Sequence, residues 1–235
     1  MQKLGRKIVF FLVLAALVSI PVIGATSETP IYMKNKTYLL QVANQSHYKV
    51  QHADVVMLGD SLTFNVQWNE LLGRNVANRG IGGDFTSGML SRLDYVTDLS
   101  PYMVFIMAGI NDLTSEKVTA EEAFNNYANI LNRLQEEQIT PAITLTLYVG
   151  KEVKNYMTVN QRVQKLNGYL KSYANAHSIP YIDLNKVLAP NGYLLSNYSI
   201  DGIHINGDGY QIWGNKVNAL IDQVLNTNQQ SVPQK

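Results

Sequence analysis

A serine, a histidine and an aspartate can together transfer an acyl group, and two segments of this chain supply them. The run Val55-Val-Met-Leu-Gly59 is apolar, stops at a glycine, and is followed at once by Asp60 and Ser61. Far downstream, Asp201-Gly-Ile-His204 offers an acid and a base. A serine hydroxyl is a weak nucleophile until a base takes its proton, and the base needs a third group to orient it. On that logic Ser61 attacks, His204 takes the proton, and Asp201 fixes the imidazole tautomer and steadies its charge. The reaction also needs hydrogen-bond donors where charge develops on the carbonyl oxygen. Two glycine- and asparagine-containing stretches, Asn78-Arg-Gly-Ile-Gly-Gly-Asp84 and Gly109-Ile-Asn-Asp112, offer them. The oxyanion donors are then the backbone N–H groups of Ser61 and Gly83 and the side-chain amide of Asn111. Gly83 has no Cβ to obstruct an approaching carbonyl, a property that Gly80 and Gly82 share. Phe64, Asp84, Leu147 and Ile203 are expected to line the substrate groove.

Each assignment has a plainer competitor. Ser61 could simply cap a helix, Asn111 could shape a turn, and Asp60 and Asp112 read as structural. His47, His52 and His177 lack carboxylate or cysteine partners at metal-ligand spacing, so neither a metal nor a cofactor is expected. Tyr127, Ile130, Leu131 and Leu134 recur at helical spacing and read as a core stripe.

The elements that must position these groups alternate. Strands are expected at Asp54–Leu58, Asn75–Asn78, Tyr102–Ala108, Ala142–Leu147 and Tyr181–Leu184. Helical patterns lie at Thr86–Thr97, Ala120–Glu137, Val159–Ala176 and about Asp208–Leu225. Strands separated by helices of this length imply right-handed crossovers and a mostly parallel sheet between two helical layers. In such a sheet, all four chemistry-bearing loops reach the carboxyl edge, where open α/β sheets bind ligands. Tyr38, Leu39, Val42 and Tyr48 predict a short leading helix that packs on the sheet.

With 46% hydrophobic and 16% charged residues among 235, the chain suits one domain and an extension. Residues 1–25 have the layout of a secretory signal: Lys3, Arg6 and Lys7 precede an uncharged apolar run over 8–25. That run is also long enough to anchor the chain in a membrane. In either form the domain is exported. Residues 26–52 then read as a linker with the leading helix, 53–228 as the domain, and 229–235 as a polar tail. Without the leader, 16 basic face 18 acidic residues, a balance unlike that of a nucleic-acid-binding protein. The absence of cysteine leaves the exported domain to be held by its core alone.

The four segments together resemble those of the SGNH, or GDSL-type, esterases and lipases, in which Ser, Gly, Asn and His correspond to Ser61, Gly83, Asn111 and His204. The stretch Gly80-Ile-Gly-Gly-Asp with a following Ser-Arg-Leu, and the ending Asp-Gly-Ile-His with Gly-Tyr beyond it, most resemble the branch holding platelet-activating-factor acetylhydrolase subunits and related bacterial secreted esterases. The resemblance covers about Ala53 to Leu225. It implies a flavodoxin-like, three-layer αβα sandwich with a five-stranded sheet, and a serine esterase that works without metal or cofactor. The expected partner is a small-molecule, glycan or lipid ester. An acyltransferase built on the same residues and a non-catalytic surface binding protein are the alternatives. Short polar loops and the lack of room for a lid lead to the expectation of short acyl groups.

Overall fold

The structure, a computed structural model, describes residues 28–230. The expected leader at 1–25 lies outside the described residues, as does the tail beyond residue 230.

Five short strands form the sheet: β1 (Val55–Gly59), β2 (Val76–Gly80), β3 (Met103–Met107), β4 (Thr140–Thr144) and β5 (Tyr181–Ile182). All adjacent pairs are parallel, and the order is β2-β1-β3-β4-β5, the flavodoxin-like arrangement. Because side chains alternate across a strand, each strand feeds two cores. Val56 and Leu58 of β1, with Val104 and Ile106 of β3, face a layer made by α7 (Ala120–Glu136) and α8 (Tyr156–Ala176). Val55 and Met57, with Met103 and Phe105, face α3 (Trp68–Leu72) and α10 (Gly207–Gln230), where Trp68 meets Trp213 edge to face at 4.7 Å. Strands buried on both faces explain why their sequences read as continuous apolar runs.

The expected core stripe on α7 is present: Tyr127, Ile130, Leu131 and Leu134 are fully buried. A capping box between Thr119 and Glu122 starts the helix, satisfying two donors that would otherwise lack partners. Burying each such aliphatic side chain is worth about 1.5–3 kcal/mol, so packing rather than propensity holds α7 in place.

Three expectations are corrected. The helix predicted over 86–97 is broken into α4 (Thr86–Ser91) and α5 (Asp94–Thr97) at Arg92, whose side chain turns into the interior. Strand β4 begins at Thr140, before Pro141 rather than after it. Ile143 and Leu145 donate N–H bonds toward the β5 side, so the missing donor of Pro141 faces a region that β5 does not reach. The leading helix α1 (Lys36–Gln45) does not pack on the sheet; its buried Tyr38 donates to the Gly88 carbonyl of α4 at 3.2 Å. The last helix also runs through residue 230, taking in the first two residues of the expected tail.

Among the described residues, no helix is long and apolar enough to cross a membrane.

Candidate active site

The chain leaves β1 toward β2 on one side and returns to β3 on the other, so the loops after β1 and β3 border the point where strand order reverses. Ser61 stands there. The side chain of Asp60 accepts from Leu62 N–H at 2.9 Å and caps α2 (Ser61–Phe64), which places Ser61 in the first position of that short helix. Tyr210 of α10 donates to the Leu62 carbonyl at 2.8 Å, which ties the helix bearing Ser61 to the element that follows His204.

His204 arrives on a tightly hydrogen-bonded loop. His204 Nε2 lies 2.9 Å from Ser61 Oγ, and its Nδ1 lies 2.6 Å from Asp201 Oδ2. The other carboxylate oxygen of Asp201 accepts the N–H groups of Ile203 and His204 at 2.9 and 2.7 Å. Ser199 Oγ accepts from Gly202 N–H and donates to the His204 carbonyl, and Asn206 then caps α10 through the Gly209 N–H. Partial burial pulls the Asp201 carboxyl upward, but the hydrogen bonds from the His204 ring and the two N–H groups outweigh it and hold the pKa below the ordinary value. Asp201 therefore stays ionised beside the imidazole, as an orienting acid must. The side chains of His204 and Asp201 are 26% and 48% exposed, so the site is open to water.

The loop after β2 forms the opposite wall. Asp84 N–H donates to the Ile81 carbonyl at 3.2 Å, closing a turn in which Gly83 has φ +71° while Gly82 stays outside the positive-φ region. That is a type II turn, which requires a residue tolerant of positive φ at its third position. Among the described residues, no acceptor engages the Ser61 or Gly83 N–H. The Asn111 amide, at the start of α6 (Ile110–Thr114), donates to the Asp84 carbonyl at 2.9 Å. Below, Asp112 accepts from Thr86 N–H and Oγ1 (the latter at 2.6 Å), and Arg92 bonds Asp84 at 2.8 Å and the Gly59 carbonyl at 3.2 Å.

Three buried carboxyls thus lie in this region, and of them Asp84 alone is paired with the buried guanidinium of Arg92. Burial pushes Asp60 to about 7 against the help of the Leu62 N–H, and the nearby Asp84 and Asp112 push the same way. Burial raises Asp84 to about 6 despite its Arg92 partner, and Asp112 to about 6 despite its bonds to Thr86. Asp60 Oδ2 and Arg92 Nη1 are buried without a partner among the described residues.

The structure therefore brings Ser61, His204 and Asp201 into one hydrogen-bonded chain and sets Gly83 and Asn111 on a common loop junction. Two expected groove residues are corrected. Asp84 is fully buried with its carboxylate turned to Arg92, because a buried cation holds it there; only its carbonyl meets Asn111. Leu147 is 2% exposed and packs into the core with Leu62, Trp68 and Ile205 rather than facing solvent. Phe64, three residues beyond Ser61, is 41% exposed, and Ile203 is half-buried beside His204. His52 lies 3.1 Å from Asp54 in an exposed pair. Among the described residues no group of three or more His, Cys, Asp or Glu is arranged to hold a metal. Sequence reasoning passed over Arg92 as a site support; its signal was the Ser-Arg-Leu that follows the glycine loop.

Fold and site define an α/β protein of flavodoxin-like topology with a Ser-His-Asp chain at its ligand-binding edge. The chain belongs to the GDSL-like lipase/acylhydrolase family, whose model matches residues 57–212. A candidate acylhydrolase from Bacteroides fragilis NCTC 9343 superposes with a TM-score of 0.69 at 24% identity, over 84% of this chain and 100% of its own. A Streptococcus pneumoniae protein described as a platelet activating factor superposes at 0.67 and 23% identity, over 78% and 90%. The chain is also 26% identical over 175 residues to an N-acylneuraminate cytidylyltransferase of Streptococcus agalactiae serotype III (strain NEM316). That match covers 74% of this chain but only 40% of the relative.

Proposed function

We propose that this protein is an exported serine esterase that hydrolyses short-acyl esters of bulky polar alcohols. The carrying observation is the continuous chain Ser61 Oγ, His204 Nε2, His204 Nδ1, Asp201 Oδ2, with contacts of 2.9 and 2.6 Å. Ser61 Oγ attacks the ester carbonyl as its proton passes to His204 Nε2. The N–H groups of Ser61 and Gly83 and the free N–H of the Asn111 amide receive the oxyanion. The C–O bond to the alcohol then breaks, and His204 returns the proton to the departing alkoxide. Water attacks the acyl-enzyme with His204 again as base, which releases the carboxylic acid and restores Ser61.

The exposure of His204 and Asp201 supports hydrolysis over transfer, since water has free access to an acyl-enzyme there. The short-acyl reading is supported by the burial of Leu147, which removes one wall of an apolar tunnel. It is supported also by an open polar groove of about 460 Å³, lined by Tyr148 and Lys151 after β4, Tyr156 and Gln161 of α8, and Tyr193 beyond β5. The Gly150 N–H joins the segment after β4 to the Gly202 carbonyl at 2.6 Å, within the loop that carries His204. Export rests on the charge and apolar pattern of residues 1–25.

The test is ester hydrolysis by Ser61→Ala, His204→Ala and the double variant. Groups that act as a unit lose nearly everything when one is removed, so the double variant should be scarcely slower than either single one. A Ser61→Ala protein with wild-type turnover refutes the mechanism.

A further inference from the structure

We propose that Asn35 is a positioning residue for the oxyanion hole, holding the Gly82–Gly83 peptide so that the Gly83 N–H points at the reacting carbonyl. This rests on the assignment of Gly83 as a donor made above. Asn35 lies outside the matched family region, in the segment that precedes the first strand, and none of the chemistry-bearing loops contains it.

Asn35 Nδ2 donates to the Gly82 carbonyl at 2.9 Å. A trans peptide is planar, with its C=O and the following N–H pointing in opposite directions. Whatever grips the Gly82 oxygen therefore also aims the Gly83 N–H. The need for such a grip follows from the turn. Types I and II differ chiefly by a flip of the central peptide, and here that peptide joins two glycines, which accept either form with little steric cost. The turn's own Asp84 to Ile81 bond closes both types, so it does not choose between them. The Asn35 bond does, because only one orientation presents the Gly82 oxygen to it. A carbonyl that accepts a hydrogen bond also polarises its peptide and strengthens the N–H as a donor.

Asn35 is itself well fixed. Its Oδ1 accepts from Thr37 N–H at 2.9 Å and caps α1, which leaves Nδ2 as the atom facing Gly82. A carbonyl only accepts and a backbone N–H only donates, so the two partners determine the amide's orientation. The start of α1 lies directly against the turn: a Cβ on Gly83 would stand 3.0 Å from Asn35 Nδ2, and one on Gly82 would stand 3.6 Å from Thr37 Cγ2. Tyr38, packed on Tyr32 at 5.0 Å between ring centres and bonded to Gly88, holds that helix to α4.

Two variants separate this role from a structural one. Asn35→Asp and Asn35→Ser each keep an oxygen able to cap α1; the carboxylate has no donor for the Gly82 carbonyl, and the serine hydroxyl ends one bond short of the position from which Nδ2 donates. Removing an oxyanion donor outright costs roughly 10²- to 10³-fold in kcat, so releasing one should cost about 10- to 100-fold. With p-nitrophenyl acetate, both variants should lose kcat in that range while KM stays within about twofold and the melting temperature stays near wild type. Wild-type kcat in Asn35→Ser overturns the proposal, even if Asn35→Asp is slow, because charge alone would then explain the latter. A rise in KM or a fall in melting temperature at unchanged kcat overturns it as well. Ser61→Ala and Asn111→Ala are assayed alongside: if they fail to lose activity, the underlying reading fails; if they lose it and Asn35→Ser does not, only the role of Asn35 fails.

Discussion

In the proposed mechanism Asn111 divides its amide between two tasks, and the division gives its role a kinetic signature. One N–H holds the Asp84 carbonyl at 2.9 Å, which leaves the other for the oxyanion. An interaction made only in the transition state lowers kcat and leaves KM nearly unchanged, so Asn111→Ala should lose roughly 10²- to 10³-fold in kcat. If KM rises while kcat holds, Asn111 is a substrate-binding group instead. Asp60 carries a second expectation, in stability rather than rate. Its folded carboxyl keeps a proton to about pH 7, and an unfolded one releases it near 3.8. Between those values the folded state binds more protons, so this group's contribution to stability declines as pH rises from about 4 to about 7. Asp84 and Asp112 act in the same sense up to about pH 6, whereas Asp201, with its lowered pKa, acts in the opposite sense at lower pH. Asp60→Asn keeps an acceptor for the Leu62 N–H and removes the ionisation. It should melt above wild type at pH 8 and close to it at pH 5, measured by circular dichroism. Equal melting temperatures at pH 8 would contradict the burial argument.

At the scale of elements, the site depends on how closely α2 sits on the ends of the strands. A Cβ on Gly80 would fall 2.3 Å from the Phe64 backbone nitrogen, so Gly80→Ala must push α2, and Ser61 with it, away from β2. Overpacking of this kind costs about 1–3 kcal/mol, and calorimetry should show the loss together with reduced ester turnover. A fully stable, fully active Gly80→Ala protein would show that α2 is free to move. Strands β1 and β3 were legible because their doubly buried faces demand unbroken apolar runs, and α7 because its stripe keeps one period throughout. The break at Arg92 was not legible. An arginine in a helical pattern reads as solvent-facing, and only the distant Asp84 and Gly59 carbonyl reveal why it turns inward. Asp84 and Leu147 misled for a related reason: their neighbours in sequence lie at the catalytic edge, but a tertiary partner decides which way each side chain points.

At the scale of the whole molecule, the five strands and their helices consume nearly all of the described chain and leave the carboxyl edge that holds Ser61 and His204 uncovered. Among the described residues nothing forms a lid over His204, whose side chain remains 26% exposed. A long acyl chain would gain about 0.8 kcal/mol for each methylene buried, and an open groove forgoes that gain. The kcat/KM for p-nitrophenyl esters, assayed below their aggregation limits, should therefore peak at acetyl or butyryl; a steady climb toward dodecanoyl would overturn the open-groove reading. The four chemistry-bearing loops could be aligned from sequence because a parallel sheet sends them all to one edge, but their closure into one hydrogen-bonded chain needed the fold. The central claim is that Ser61 is the nucleophile, and the direct measurement is peptide mass spectrometry after reaction with a fluorophosphonate. One adduct is expected, on the peptide containing Ser61, absent from Ser61→Ala and strongly slowed in His204→Ala. An adduct on any other residue, or unchanged labelling of Ser61→Ala, would contradict it.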